Sequence, residues 1–213
     1  AREDATTLAV IGSGSQARGQ VHTTTTVRDF EEIRVFSPTA ENREAFAADF
    51  DAELAADVRA VASSTDAISG ADIVITATRA SEPVFDGADL EPGTHVTAMG
   101  QYGTDSRELD TTTIERATYV PDLRERATYD AGAFLAALEA GVVGEADVHA
   151  ELGEVVAGVA PGRTSDEEIT VFDSGGTGVE TVAAAHMLYE RAREEGLGTE
   201  IPFAPASEAL TGD

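Results

Sequence analysis

The hydrophobic positions of this chain fall into short apolar runs separated by stretches of mixed polarity. Runs of this kind, rich in Val, Ile and Ala and bounded by Gly, Pro or Ser, are typical of strands buried on both faces of a parallel sheet. The clearest examples are TLAVI at 7–11 and ADIVIT at 71–76. The pattern predicts strands at 7–11, 33–36, 58–62, 71–76, 95–98, 118–120 and 169–172.

The stretches between these runs predict helices at 15–25, 40–50, 66–69, 130–140, 151–157 and 177–195. Thr39, and Ser64 or Thr65, are residue types that cap helix N-termini, and they precede the second and third of these helices. Because strands and helices alternate, we predict an α/β fold, Rossmann-like and doubly wound, with a mostly parallel sheet. We expect this domain at 1–175 and a C-terminal helical extension with a tail at 176–213.

The loop after the first strand is the first feature with a chemical meaning. Gly12, Gly14 and Ala17 make a Gly-x-Gly-x-x-Ala turn between a strand and a helix. The glycines allow the backbone to approach a pyrophosphate, and the helix N-terminus offers N–H groups and a partial positive charge. An ordinary glycine turn is the alternative. The loop predicts an NAD(P)(H) site whose residues are Gly12, Ser13, Gly14, Ser15, Gln16 and Ala17.

The end of the second strand bears on the choice of dinucleotide. An Asp or Glu at this place binds the ribose 2′-hydroxyl of NAD, but here the chain reads FSPT at 36–39, with no carboxylate before Glu41. Ser37, Thr39 and Arg43 can instead hold a 2′-phosphate, so the sequence favours NADP. The alternative is that Ser37 and Thr39 only cap the next helix.

Charge is the strongest signal in the composition. The chain has 40 acidic residues against 14 basic ones, all of them Arg, for a net charge of -26. A field of that sign repels nucleic acid and anionic membrane, so we expect neither as a partner. The self-repulsion is screened at molar salt, which favours a halophilic cytoplasm; an ordinary acidic enzyme is the alternative. No run approaches the roughly 18 apolar residues of a membrane span.

Other kinds of site find little support in the sequence. The chain has no Cys, which excludes disulfides and thiolate chemistry. The four His residues are not spaced as a metal cluster, and no Gly-x-Ser-x-Gly elbow points to a hydrolase. We therefore expect no metal.

The glycine loop belongs to a longer pattern that resembles the ornithine cyclodeaminase/μ-crystallin family, which also includes archaeal alanine dehydrogenases and imine reductases. The matching stretches occur in the family's order and cover nearly the whole chain. They are LAVIGSGSQA (8–17), ADIVITATRASEPVF (71–85), PGTHVTAMG (92–100), SREL (106–109), GEVVAGVAPGRTSDEEITVFDSGGTGVE (153–180) and GLG (196–198).

The resemblance implies hydride transfer between NAD(P)H and a small α-imino or amino acid, of the alanine dehydrogenase or ketimine reductase type. The 76–78 segment also follows a parallel strand, at the end where ligands bind in open α/β sheets. Capping is the alternative for Thr78 and for Asp173 in the last turn. The cofactor-facing residues implied by the resemblance are Thr76, Ala77, Thr78, Gly100, Ser174 and Gly175.

Tyr102 is the candidate catalytic residue and also a departure from the family. True cyclodeaminases place an Asp two residues beyond the glycine that matches Gly100, where it handles protons. A phenol, with an unperturbed pKa of about 10, is a poor general base at neutral pH but can donate a proton. This disfavours ornithine cyclodeaminase activity, which stays an alternative, as does a Tyr102 that only lines the pocket.

A second departure concerns the substrate side. Family members begin with a substrate-binding and dimerisation domain, whereas the first strand here begins at Thr7. The resemblance therefore implies a fragment or a naturally short protein. Its helix at 177–195, which packs toward that domain in the family, is expected to expose apolar surface. A homodimer is a possible assembly, and a non-catalytic NAD(P)H-binding module is the alternative to an enzyme.

Overall fold

A parallel seven-stranded sheet forms the centre of the computed structural model, which describes residues 1–99 and 103–201. Within these residues the strand order is β3-β2-β1-β4-β5-β7-β6, and every neighbouring pair is parallel. The predicted α/β, doubly wound architecture is confirmed. The strands are β1 (Thr7–Ile11), β2 (Glu32–Phe36), β3 (Asp57–Ala60), β4 (Ile73–Thr76), β5 (His95–Ala98), β6 (Ala117–Pro121) and β7 (Ile169–Asp173).

The helices of the described residues connect these strands. Most lie within two or three residues of the predicted bounds, but the fourth and fifth were not predicted from the sequence. The fourth reads TTTIER, whose β-branched residues are weak helix formers. The eight α-helices of the described residues are α1 (Ser15–Thr25), α2 (Ala40–Asp51), α3 (Ser64–Ile68), α4 (Thr111–Arg116), α5 (Arg124–Tyr129), α6 (Gly132–Glu139), α7 (Leu152–Val156) and α8 (Gly178–Glu194).

Two hydrophobic clusters cover the two faces of the sheet. Leu8 and Val10 of β1 pack with α1 and α2 on one face. Ala9 and Ile11 of the same strand belong to the second cluster on the other face, with α3, α4 and α6. Because successive side chains of a strand point to opposite faces, a strand that is apolar throughout must be covered on both sides. This explains why the central strands read as continuous apolar runs.

Two predicted helix caps need correction. Thr39 does stand at the N-cap of α2, but its side chain makes no capping hydrogen bond. The cap of α3 is Ser63, whose hydroxyl accepts a bond of 3.0 Å from the Asp66 amide, and not Ser64 or Thr65. The helix begins at Ser64, two residues earlier than predicted, and its N-cap is therefore the preceding residue, Ser63.

The chain divides into two compact units, 1–175 and 176–213. The described part of the second unit consists mainly of α8, which begins with a capping box between Thr177 and Glu180. Large apolar side chains of this helix are exposed, as expected from the sequence; they are Val179, Val182, Met187, Leu188 and Tyr189. Among residues 1–99 and 103–201, no helix is long and apolar enough to cross a membrane.

Candidate functional site

The loop between β1 and α1 has a backbone that only glycine allows at its first position. Gly12 has φ of +124°, and a Cβ there would lie 2.4 Å from the carbonyl oxygen of Ala77. The Gly12 amide donates to the Phe36 carbonyl at 2.8 Å, and the Ala77 amide donates to the Ile11 carbonyl at 2.9 Å. The loop is thus held between the ends of β2 and β4, at the carboxyl edge of the sheet where ligands bind in such folds.

Gly14 is a glycine that the protein's own packing does not demand. Its φ is -80°, and a Cβ built there would meet no atom within 4 Å. As the N-cap of α1 it offers no side-chain acceptor to the helix N–H groups, and the first turn of the helix carries no acidic residue. In a chain with 40 acids, this leaves the positive end of the helix dipole available to an anion.

The start of α1 is exposed on its loop side and buried where it meets the sheet. Gly14, Ser15 and Gln16 are exposed, whereas Ala17 is fully buried against the sheet. A small residue at that place lets the helix lie close to the strand while the loop stays open to a ligand. The open space beside Gly14, together with the exposed start of α1, fits a dinucleotide pyrophosphate.

The end of β2 joins this loop through side chains. The Ser13 hydroxyl donates to the Ser37 hydroxyl at 3.0 Å, and Ser37 is almost fully buried. Arg43 donates from Nη1 to the Ser37 carbonyl at 2.9 Å, with its guanidinium 5.8 Å from the centre of the Phe36 ring. Ser13, Ser37 and Arg43 therefore come together, whereas Thr39 contributes its carbonyl, 3.4 Å from the Ser37 hydroxyl.

The segment that follows β4 is gripped by a carboxylate that sequence reasoning did not single out. Glu108 is buried, and its Oε2 accepts a bond of 2.9 Å from the Thr76 hydroxyl. Its Oε1 accepts a bond of 2.5 Å from the Thr78 amide. Burial raises the pKa of Glu108, and the bonds from these two threonines oppose that rise. The predicted 76–78 segment thus lies against the glycine loop, and its hydrogen bonds to Glu108 hold it in place.

The ends of β5 and β7 form the other side of the site. The Ser174 amide donates to the Ala98 carbonyl at 2.8 Å, which places Ser174 directly beyond the carboxyl end of β5. The guanidinium of Arg126 lies so close to Gly175 that a Cβ there would overlap it. Ser174 and Gly175 are therefore at the same edge of the sheet as the 76–78 segment, because β4, β5 and β7 are neighbours.

Asp173, at this edge of the sheet, has a carboxyl group whose pKa is raised. Its Oδ2 accepts a bond of 2.6 Å from the hydroxyl of Tyr119, a buried residue of β6. Burial raises the pKa of Asp173 to about 6, against the opposing effect of the Tyr119 hydrogen bond, and the charge of Asp122 adds to the rise. Burial and the adjacent Asp173 carboxylate also raise the pKa of Tyr119. Asp173 is therefore protonated more readily than an exposed Asp.

Two of the predicted site residues, Gly100 and the candidate catalytic Tyr102, lie outside the described residues. Glu108 and Tyr119 are residues at this edge of the sheet that sequence reasoning did not single out. Glu108 stands in the SREL stretch, but nothing in the sequence distinguishes it from the other acidic residues of the chain. Its partners are 30 and 32 residues away, so only the folded chain identifies them. In the described residues, no group of three or more His, Cys, Asp or Glu side chains is placed to hold a metal ion.

Comparison with known proteins places this geometry in a family. Residues 1–196 match the sequence model of the ornithine cyclodeaminase/mu-crystallin family. A Delta(1)-pyrroline-2-carboxylate reductase of Bacillus cereus is 38% identical over 204 residues, which cover 95% of this chain and 62% of the relative. The chain therefore spans less than two thirds of the length of the curated relative.

Two solved structures have a similar fold to this chain. The Delta(1)-pyrroline-2-carboxylate reductase of Thermococcus litoralis, in complex with NADH and L-proline, superposes with a TM-score of 0.90 at 37% identity. The match covers 94% of this chain and 62% of that one. An archaeal alanine dehydrogenase dimer with bound NAD gives a TM-score of 0.88 at 33% identity, over 96% of this chain and 62% of the other.

Proposed function

The chain belongs to the ornithine cyclodeaminase/mu-crystallin family, and on that premise we propose that residues 1–175 are the cofactor domain of an NAD(P)-dependent oxidoreductase. Its reaction is the reduction of a small α-imino acid to the amino acid, or the reverse oxidation. The relatives that carry the names pyrroline-2-carboxylate reductase and alanine dehydrogenase support this substrate class.

One observation carries the assignment of the cofactor. Gly14 has an ordinary backbone and open space where a side chain would be, at the uncapped and acid-free start of α1. Nothing in the protein's packing requires a glycine there, whereas a pyrophosphate that rests on the backbone does. Residues 12–17 would then hold the pyrophosphate, and residues 76–78 and 174–175 would face the nicotinamide.

The chemistry divides between cofactor and protein. Bound NAD(P)H supplies the hydride, which goes to the imine carbon, while a proton goes to the imine nitrogen and NAD(P)⁺ is left. The protein holds and orients the two reactants. Tyr102 is our candidate for the group that donates the proton, because a phenol donates more readily than it accepts at neutral pH.

Paired glycine variants of α1 test the cofactor site. Gly14→Ala adds a methyl group where the pyrophosphate rests, so we expect NADH and NADPH to bind about tenfold or more weakly while the unfolding free energy changes by less than about 1 kcal/mol. Gly19→Ala is the matched control, because Gly19 lies within α1, of which Gly14 is the N-cap, and also faces open space. Fluorescence titration with both dinucleotides makes the comparison; equal affinities of the two variants would contradict the proposal.

The preference for NADP is a further part of the proposal. The end of β2 has no carboxylate to bind a ribose 2′-hydroxyl, and Arg43 is held beside Ser37 at that place. Charge-assisted bonds from an arginine favour a phosphate. We expect Arg43→Ala to weaken NADPH binding about tenfold and to leave NADH binding unchanged. Arg59→Ala, which removes an arginine of β3 that pairs with Glu32, controls for net charge. A wild-type preference for NADH would refute this part.

Turnover needs a separate measurement. The chain is incubated in molar KCl with NADH or NADPH and either Δ1-pyrroline-2-carboxylate or pyruvate with ammonia, and the absorbance of the reduced nicotinamide is followed. Oxidation that depends on the substrate supports the reductase. Tight dinucleotide binding without oxidation would reduce the proposal for this chain to a cofactor-binding module.

A further inference from the structure

Glu108 differs from most acidic residues of this chain because it is buried and both of its carboxylate oxygens accept hydrogen bonds. Only 3% of its surface is exposed, in a chain whose other acids are mostly on the surface. Burying a carboxylate is costly unless it is hydrogen-bonded. Both oxygens find donors in one short segment, the hydroxyl of Thr76 at 2.9 Å and the amide of Thr78 at 2.5 Å.

Ala77, the residue between these two donors, lies against the glycine loop. The Ala77 amide donates to the Ile11 carbonyl at 2.9 Å, and a Cβ on Gly12 would lie 2.4 Å from the Ala77 carbonyl oxygen. The main chain of Glu108 also contacts the residues that follow this segment, since the Val84 amide donates to the Glu108 carbonyl at 2.9 Å. Glu108 therefore holds the residues on either side of Ala77, and Ala77 lies against the phosphate loop.

We propose that Glu108 is a positioning residue that sets the spacing between the glycine loop and the segment after β4, and so the width of the dinucleotide cleft. This inference rests on the proposed function for its effect on binding. Glu108 does not touch the cofactor in this account. It acts through Thr76, Ala77 and Thr78, whose backbone would shift if the hydrogen bonds to Glu108 were lost.

The hydrogen bonds of Glu108 indicate whether its charge or its polar contacts hold the 76–78 segment. The Thr78 amide can only donate, so it needs an acceptor, whereas the Thr76 hydroxyl can donate or accept. Gln at 108 satisfies both, with its oxygen toward Thr78 and its amide nitrogen toward Thr76. Leu at 108 fills a similar volume and satisfies neither. We therefore expect the charge of Glu108 to be dispensable and its polar contacts to be required.

The test uses NADH and NADPH titrations together with amide hydrogen exchange of the free chain, both in molar KCl. Glu108→Leu is expected to weaken dinucleotide binding about tenfold and to speed exchange of the Thr78 amide about tenfold or more. Glu108→Gln is expected to restore both to within about threefold of wild type. Ile114→Ala removes a buried side chain of α4 that makes no hydrogen bond to Glu108, and it controls for general loss of stability.

The outcomes separate this inference from the proposed function. Wild-type affinity and wild-type Thr78 exchange in Glu108→Leu would overturn it, as would equal loss of affinity in Ile114→Ala. Failure of Glu108→Gln to rescue would also overturn it, because the polar contacts would then not be the cause. If the wild-type chain binds neither dinucleotide, the proposed function fails, and exchange at Thr78 alone decides whether Glu108 holds the segment.

Discussion

Gly12→Ala is the substitution whose effect the structure defines best. The change places a methyl group on a residue with φ of +124° and puts it 2.4 Å from the Ala77 carbonyl oxygen and 3.0 Å from the Ala77 carbonyl carbon. These neighbours are backbone atoms of a segment that is bonded to β1 and to Glu108. They cannot move aside as the end of a flexible side chain would, so either the loop or the segment after β4 must be displaced.

Two penalties combine in this variant. A non-glycine residue forced into such a backbone conformation costs about 1–3 kcal/mol, and overpacking against a fixed neighbour costs about 1–3 kcal/mol. Together they predict a loss of about 2–6 kcal/mol of unfolding free energy, a large fraction of the roughly 5–15 kcal/mol that holds a domain folded. Dinucleotide binding should fall as well, because the displaced atoms line the proposed dinucleotide cleft.

The measurement is urea unfolding of wild type, Gly12→Ala and Gly19→Ala in molar KCl. Gly19 faces open space in the interior of α1, so its replacement by Ala should raise the unfolding free energy by about 0.5–1 kcal/mol. The two variants make the same chemical change seven residues apart and are expected to shift the urea midpoint in opposite directions. A Gly12→Ala chain within about 0.5 kcal/mol of wild type would show that the close approach of Gly12 and Ala77 is wrong.

Two other predictions concern charge. Because burial raises the pKa of Asp173 from 3.8 to about 6, the folded chain holds a proton that the unfolded chain has lost between about pH 4 and 6. The unfolding free energy of wild type should therefore fall, relative to Asp173→Asn, by up to about 3 kcal/mol as the pH rises through this window and then level off; parallel pH profiles of urea unfolding would contradict it. The net charge of -26 predicts that the thermal midpoint rises with KCl between about 0.1 and 1 M, as the screening length falls from about 10 to about 3 Å. A midpoint independent of salt would refute the halophilic interpretation.

The local pattern was enough to predict the framework. Strand β1, helix α1 and strand β5 lie at the predicted residues, because a buried parallel strand must be apolar on both faces and a glycine loop must join it to its helix. Most of the other predicted helices and strands begin or end within two or three residues of their expected limits. The same pattern predicted the phosphate loop, since the chemistry of that site resides in consecutive residues.

Elements fixed by distant contacts were not predicted. The sequence of α4 has weak helix formers, yet Asp110 caps it with a bond of 2.7 Å to the Thr113 amide, and the same carboxylate accepts from the Gly87 amide at 2.9 Å. A carboxylate that caps a helix and also binds a loop 23 residues away is visible only when both are in place. Likewise, the cap of α3 depends on where its first turn begins, which propensity locates only to within a residue or two.

By itself, therefore, the sequence determined the fold class and most of the elements, and it predicts the dinucleotide loop. These follow from the period of apolar residues and from glycines that are contiguous along the chain. Only the tertiary structure decided that Glu108 grips the two sides of Ala77 and that Tyr119 bonds to Asp173. Glu108 is buried and Asp173 is partly buried, each next to a donor from another strand or loop. The hydrogen bonds and the pKa of such a carboxylate depend on its neighbours in space, which the order of residues along the chain does not state.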